Sequence, residues 1–297
     1  MNNSKLSIGT VQFGMLYGIV NNQEQVDYKD VSKILGIANQ HGINMLDTAP
    51  SYGNSEEILG SIIYGQSLDI VTKVPRCNGD VVRTAYLDSV IVSLYRSLEK
   101  LNVNGVYGLL IHECDDLFKL GGERIFAVLE KIRSMGIVNK IGVSVYTDEQ
   151  ISRVLDNFDI DIIQVPVNIF DQRLVRNGLL DKLKKQGVEI HARSAFLQGI
   201  LLMPLDLIPS YFYPIIKKFE DFNTTANKLS LTNLELALSY IYSIREVDRI
   251  IVGVKTEQQL LDIVNSKIVE VLSEDVRHLS ITDPCFLNPS LWSFARD

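Results

Sequence analysis

Four residues of this 297-residue chain, Asp47, Tyr52, Lys73 and His112, could together pass a proton to a carbonyl oxygen. A free tyrosine, with a pKa of about 10, is a poor acid at neutral pH. A lysine cation beside it stabilises the phenolate, and an aspartate paired with that lysine holds the cation in place. The phenol can then deliver its proton to a carbonyl oxygen as hydride reaches the carbon. A neutral histidine can hold the same oxygen through a hydrogen bond. None of these steps calls for a metal. Taken singly, each residue has a plainer explanation: Asp47 or His112 as a hydrogen-bonded strand end, Lys73 as the point where a strand meets water, Tyr52 as a loop anchor. Their arrival at successive strand ends favours the chemical reading.

Those strand ends come from an alternation that runs the length of the chain. Short β-branched apolar runs predict strands at Leu6–Phe13, Ile43–Asp47, Leu68–Val74, Val106–His112, Ile137–Ser144, Ile160–Val165, Val188–Arg193 and Arg249–Val252. Most are continuously hydrophobic, as parallel strands covered on both faces should be. Between them the spacing turns helical; Val90, Ile91, Leu94, Leu98 and Leu101 mark one apolar face. Capping-box patterns at Thr147-x-x-Gln150, Thr232-x-x-Glu235 and Thr256-x-x-Gln259 signal helix starts. Gly42, Gly105, Gly136 and Gly187 are expected as left-handed C-terminal caps. Eight strands in strict β–α alternation predict a (β/α)8 TIM barrel, a single domain over 1–297, with its active site at the strand C-termini. A doubly wound sheet is the rival, but no GxGxxG turn follows the first strand. The Leu-, Pro- and Tyr-rich stretch Leu197–Tyr213 is expected to form a loop or extra turn over the mouth.

Composition narrows the partners. With 46% hydrophobic and 22% charged residues, the chain can bury a large core. A net charge of −7 disfavours nucleic acid and anionic membranes as partners. Cys77, Cys114 and Cys285 lack CxxC spacing, so neither a disulfide framework nor a cysteine metal site is expected. No signal peptide or membrane-length apolar run is read, and the expected location is the cytoplasm.

At these residues the sequence resembles the aldo-keto reductase family over nearly its whole length. The match is carried by Asp47-Thr48-Ala49-x-x-Tyr52-Gly53-Asn54-Ser55-Glu56, then Lys73, Leu110-Ile111-His112, Ile141-Gly142-Val143-Ser144 and Gln164-Val165-x-x-Asn168. The resemblance implies NADPH as cofactor, with NADH as the alternative, and a small-molecule carbonyl substrate. It implies Tyr52 as general acid, tuned by Lys73 and Asp47, with His112 orienting the substrate. Ser144 and Gln164 match residues that hold the nicotinamide carboxamide, and Gly9, Thr10 and Val11 a segment lying along the cofactor. Arg193, Ser194, Phe196 and Gln198 fall in a segment beside nicotinamide and pyrophosphate. Gly253, Lys255, Thr256 and Gln259 resemble the adenosine 2′-phosphate site, which a helix N-terminus suits physically.

The chain departs from the family at Val145 (often Asn), at Arg193 (often aromatic) and at Asp262-Ile263 (often Glu-Asn near adenine). A finer likeness covers Gly9-Thr10-Val11-Gln12-Phe13-Gly14-x-x-Tyr17-Gly18, Ala192–Gly199 and Asn288-Pro289-Ser290-x-Trp292. It is to bacterial members associated with sugar nucleotides and surface polysaccharides, and implies a keto-sugar or sugar-derived aldehyde. Trp292 could line the pocket or anchor the tail. Two other readings compete: a nicotinamide-sensing binding module that acts through a partner, and a non-redox lyase or isomerase on the same barrel. The second usually needs a metal cluster or a Schiff-base lysine. Oligomeric state is left open.

Overall fold

The computed structural model describes residues 5–18, 25–63 and 65–292. The extreme N-terminal residues and the end of the tail beyond Trp292 lie outside them. Eight parallel strands close into a barrel in chain order: β1 (Leu6–Gly9), β2 (Met45–Asp47), β3 (Asp69–Val74), β4 (Val106–Ile111), β5 (Val138–Ser144), β6 (Ile162–Pro166), β7 (Glu189–Arg193) and β8 (Arg249–Gly253). β8 pairs with β1 in the register Leu6↔Ile250 to Gly9↔Gly253, which completes the ring and leaves no open edge.

Side chains alternate along a strand, so every second residue enters the barrel. Met45, Val71, Leu110 and Ile162 form a fully buried apolar cluster. Two residues further along the same four strands stand Asp47, Lys73, His112 and Gln164. The packed layer is thus the floor on which the polar constellation sits. Outside the strands, helices bury their apolar stripes; in Thr84–Leu101 these are Val90, Leu94, Leu98 and Leu101, with Ile91 partly covered.

Local sequence accounts for most helix boundaries. Thr147 and Thr232 make reciprocal capping boxes with Gln150 and Glu235. Thr256 accepts from the Gln259 amide, but the Gln259 side chain accepts from the Lys255 amide rather than that of Thr256. Gly42, Gly136 and Gly187 adopt positive φ as expected. Gly105 does not: the helix before it closes on Asn102 at φ 55°, whose short polar side chain tolerates the left-handed region. Gly105 is needed instead because a Cβ there would lie 2.7 Å from the Ile137 carbonyl oxygen.

The first strand is shorter than its apolar run suggests. It ends at Gly9, and Val11–Gly14 forms a helical turn that carries the chain across the barrel mouth. The stretch before the last strand holds short 3-10 turns at Leu197–Leu202, Leu205–Leu207 and Ser210–Ile215, followed by two helices, Ile216–Lys228 and Asn233–Ser243. Trp292 is buried edge-on against Phe212, ring centroids 5.2 Å apart, and the Tyr211 hydroxyl donates to the Cys285 carbonyl. Trp292 therefore anchors the tail onto the extra turns. Among the described residues no helix is long and apolar enough to cross a membrane, and no cluster of potential ligands could hold a metal ion.

Candidate active site

Asp47 closes β2 and Lys73 is the penultimate residue of β3, so their side chains meet inside the barrel rim. The Lys73 ammonium donates to Asp47 Oδ1 at 2.8 Å, to the Thr48 carbonyl at 2.9 Å and to the Tyr52 hydroxyl at 3.3 Å. It also lies 4.9 Å from the centre of the Tyr52 ring. Lys73 is 2% exposed, and an unpaired ammonium could not persist at that depth. Burial alone would lower its pKa; the Asp47 carboxylate and the Tyr52 phenol outweigh it, and the ammonium is held above its usual range. Asp47 has a second clamp, accepting from Gln164 Nε2 at 2.8 Å.

Burial sets the Tyr52 phenol above its ordinary pKa, with Lys73 and then the Lys73 hydrogen bond pulling it back. The lysine stabilises the phenolate, as expected, and this offsets part of the cost of burial. Tyr52 thus holds its proton at neutral pH until an acceptor takes it. His112 follows directly on β4, and its ring meets the Tyr52 ring edge-on at 6.0 Å. Burial, followed by the Lys73 charge, lowers its pKa to about 4, so the imidazole is neutral. Ser51 Oγ lies 3.4 Å from His112 Nδ1; when the hydroxyl donates there, Nε2 carries the proton. Two donors, a phenol and a neutral imidazole, then face the same space.

The loop that presents Tyr52 is held by backbone contact. A Cβ on Gly14 would fall 1.8 Å from the Tyr52 carbonyl oxygen, and one on Gly53 would fall 2.1 Å from that of Gly14. Gly53 also sits at φ 59°. Only glycines let these two turns pass so closely. Ser55 ties them further, donating to the Thr10 carbonyl at 2.9 Å, while the Thr10 hydroxyl bonds the Asp47 carbonyl at 3.0 Å.

The residues assigned to cofactor follow around the rim. Ser144 ends β5, Gln164 lies in β6, Arg193 ends β7 and Gly253 ends β8. Gly9 ends β1 beside Gly253, Thr10 is bound to Asp47 as described, and Val11 opens the helical turn rather than extending the strand. Ser194, Leu197 and Gln198 all take positive φ, at 62°, 48° and 54°, in a segment that includes Phe196 and ends at Gly199. Three non-glycine residues in the left-handed region cost roughly 1–2 kcal/mol each and cluster where a site demands it. Lys255 and Thr256 lead into the helix Glu257–Val264, whose N-terminus and cation suit a phosphate. Among the described residues, Gln12 Oε1 and Arg193 Nε are buried without a hydrogen-bond partner. A continuous run of donors and acceptors, with unmet polar atoms and a phosphate-ready helix end, fits an extended nicotinamide dinucleotide.

Several contributors escaped the sequence reading. The Tyr17 hydroxyl accepts from Gln198 Nε2 at 3.4 Å, and its phenol interacts electrostatically with Tyr52, Arg193 and Tyr146. The Arg193 guanidinium lies 4.1 Å from the Tyr146 ring centre. Glu56 is buried beneath the site, taking hydrogen bonds from Thr72 and Ser97. Tyr17 fell within the finer likeness and Glu56 within the Asp47–Glu56 signature, though neither was given a role; Tyr146 is joined by a contact across sequence separation that periodicity does not report.

The family model described as the aldo/keto reductase family matches residues 5–281. The chain is 24% identical over 256 residues to the NADH-specific methylglyoxal reductase of Escherichia coli, covering 75% of this chain and 78% of that one. It is 24% identical over 304 residues to a probable voltage-gated potassium channel subunit beta of Arabidopsis thaliana, covering 91% and 90%. Its fold superposes on an aldo-keto reductase of Bacillus halodurans with a TM-score of 0.73 at 18% identity, covering 99% and 95%. A closed parallel barrel, a polar rim built on its strand ends and a family match over almost every residue lead to one conclusion: the chain belongs to the aldo/keto reductase family and is an NAD(P)H-dependent oxidoreductase.

Proposed function

We propose that this protein reduces an aldehyde or ketone to an alcohol, with Tyr52 delivering the proton. The observation that carries the reading is the chain of contacts from Asp47 through Lys73 to the Tyr52 hydroxyl, at 2.8 and 3.3 Å. A bound nicotinamide supplies the hydride. The carbonyl oxygen lies between the Tyr52 hydroxyl and His112 Nε2, so charge developing on it meets two donors in place. As the phenol gives up its proton, the Lys73 ammonium stabilises the phenolate left behind, and Asp47 keeps that ammonium in register. Gln164 holds Asp47 and leaves its amide oxygen, with the Ser144 hydroxyl, for the carboxamide of the cofactor. Lys255 favours NADPH, but the NADH-specific relative makes NADH the alternative to test.

The substrate proposed is a keto-sugar or sugar-derived aldehyde. The finer sequence likeness supports this, as do the hydroxyl and amide groups of Tyr17, Ser51 and Gln198 beside Tyr52 and His112. The channel-subunit relative lends footing to the binding-module reading. Against it stands a complete proton-delivery set, which sensing a cofactor does not require.

The test is cofactor oxidation followed by absorbance with simple aldehydes and keto-sugars, comparing the unaltered chain with Tyr52→Phe. Turnover is expected to fall by at least about 100-fold in the variant, with cofactor affinity kept. Undiminished turnover by Tyr52→Phe would sink the assignment. Cofactor binding without turnover across the panel would favour the binding module.

A further inference from the structure

Arg193 brings to the site a charge that the fold does not neutralise. Among the described residues no carboxylate pairs with it, whereas Lys73 is matched by Asp47 at 2.8 Å. Its guanidinium is fixed as a plate: it lies on the Tyr146 ring at 4.1 Å, Nη2 donates to the Val145 carbonyl at 3.0 Å, and Nη1 to Ser194 Oγ at 3.3 Å. The Ser194 carbonyl is itself held by Asn168 Nδ2 at 3.2 Å. This is not a mobile surface arginine answering to water. Arg193 ends β7 at the same barrel mouth where Lys73 of β3 and His112 after β4 stand, and its charge is felt, as a minor contribution, at Tyr52 and His112. The chain as a whole carries −7, which makes a local cation surplus at the rim a feature of the site rather than of the surface.

We propose that Arg193 makes the site discriminate between the redox states of the nicotinamide, accepting the neutral reduced ring and repelling the positively charged oxidised one. The inference rests on the reading given under Proposed function. With the carbonyl oxygen at Tyr52 and His112, the ends of β5, β6 and β7 are left as the wall for the ring. The stacked pair of Tyr146 and Arg193 is the flat part of that wall. Loss of hydride from the ring carbon leaves the nicotinamide with a single positive charge. The hydride forms the new C–H bond of the alcohol, and Tyr52 supplies the proton on its oxygen. Before transfer the guanidinium therefore faces a neutral ring, and afterwards a cation. Two like charges a few ångströms apart in a partly dried site repel enough to weaken binding about tenfold even after screening. Oxidised cofactor is thereby loosened at the end of each turnover, which favours exchange for the reduced form.

Calorimetric titration of the full chain with the oxidised and reduced forms of both NADP and NAD tests this without turnover. Arg193→Tyr keeps a plane and removes the charge; Arg193→Lys keeps the charge and removes the plane. The ratio of oxidised to reduced Kd is expected to fall about tenfold in Arg193→Tyr and to hold within about twofold in Arg193→Lys. Because the ratio is internal to each protein, a loss of stability in a variant does not imitate the effect. An unchanged ratio in Arg193→Tyr overturns the proposal and leaves the proposed reductase standing. An equal fall in Arg193→Lys also overturns it, since shape rather than charge would then set the preference. If the unaltered chain binds neither form of either cofactor, the nicotinamide reading fails, and this inference with it.

Discussion

His112 shows how a single residue's surroundings choose its role. An exposed imidazole titrates at about 6.5 and would be partly charged in a mildly acidic cell. Here burial and the nearby Lys73 lower it to about 4, so it offers a neutral N–H and never competes with Tyr52 as an acid. The unfolded chain binds a proton at this residue that the folded chain refuses, so stability rises with pH between about 4 and 6.5. An NMR titration of the imidazole is expected to show a midpoint near 4, and His112→Gln to flatten that part of the stability profile. A midpoint near 6.5 would show that the pocket does not exclude the imidazolium. Lys73 makes the converse prediction. Lys73→Met removes the cation that draws the Tyr52 phenol down, so activity should fall about 100-fold or more. Its alkaline limb should move to higher pH, because the phenol then keeps its proton longer. An alkaline limb that stays put would mean that Tyr52 is not the group reported.

Elements were legible in the sequence to the extent that they follow local periodicity. Eight apolar runs became eight strands because a strand buried on both faces has no other composition available. Asp47, Lys73 and His112 stood out because a polar residue ending such a run must face the mouth. Leu6–Phe13 was overrun for a reason outside its own sequence: Val11, Gln12 and Phe13 would suit a strand, but Gly14 has to reach the Tyr52 loop, and only a turn at Val11 delivers it. Arg193 on Tyr146 and Gln164 on Asp47 were illegible in kind, since neither contact has a periodic signature. The Gly14 contact predicts how elements position chemistry. Gly14→Ala would push a Cβ against the backbone of Tyr52 and Ser55, displacing the phenol. Turnover should drop by about 100-fold for a shift of about 1 Å, with cofactor affinity nearly kept. Gly36→Ala is the control: it lies within the helix Tyr28–Gln40 with nothing near its Cβ, and should stabilise by about 0.5–1 kcal/mol. Equal effects of the two on turnover would rule out the close approach as the cause.

Across the whole molecule, ionised groups occur at both ends of the barrel but are arranged to opposite purposes. At the mouth, Arg193 has no counter-charge among the described residues. At the strand starts, Glu189 is surrounded by donors: the Lys140 ammonium, the Tyr107 hydroxyl at 2.6 Å, His191 Nε2 at 2.8 Å and, further off, Arg249 Nε at 3.9 Å. Burial would raise the Glu189 pKa, but the hydrogen bonds from His191, Lys140 and Tyr107 overcome it and hold the carboxyl well below the carboxylate range. Its contribution to stability is therefore complete above about pH 4.5, where the unfolded carboxyl is ionised, and is lost as the pH falls below that. Glu189→Gln keeps the shape and removes the charge that Lys140 and Arg249 share. The network is partly open to water, the Lys140 side chain at 36% and Glu189 at 13% exposure, so removing its charge from one side should cost about 1–2 kcal/mol by urea denaturation at neutral pH, fading as acid protonates the unaltered protein. Turnover of the folded variant should stay within about twofold, because the apolar layer of Met45, Val71, Leu110 and Ile162 lies between this cluster and Tyr52. A large fall in turnover with no loss of stability would mean that the two ends are coupled through that layer, and that the barrel floor transmits charge rearrangement rather than isolating the site from it.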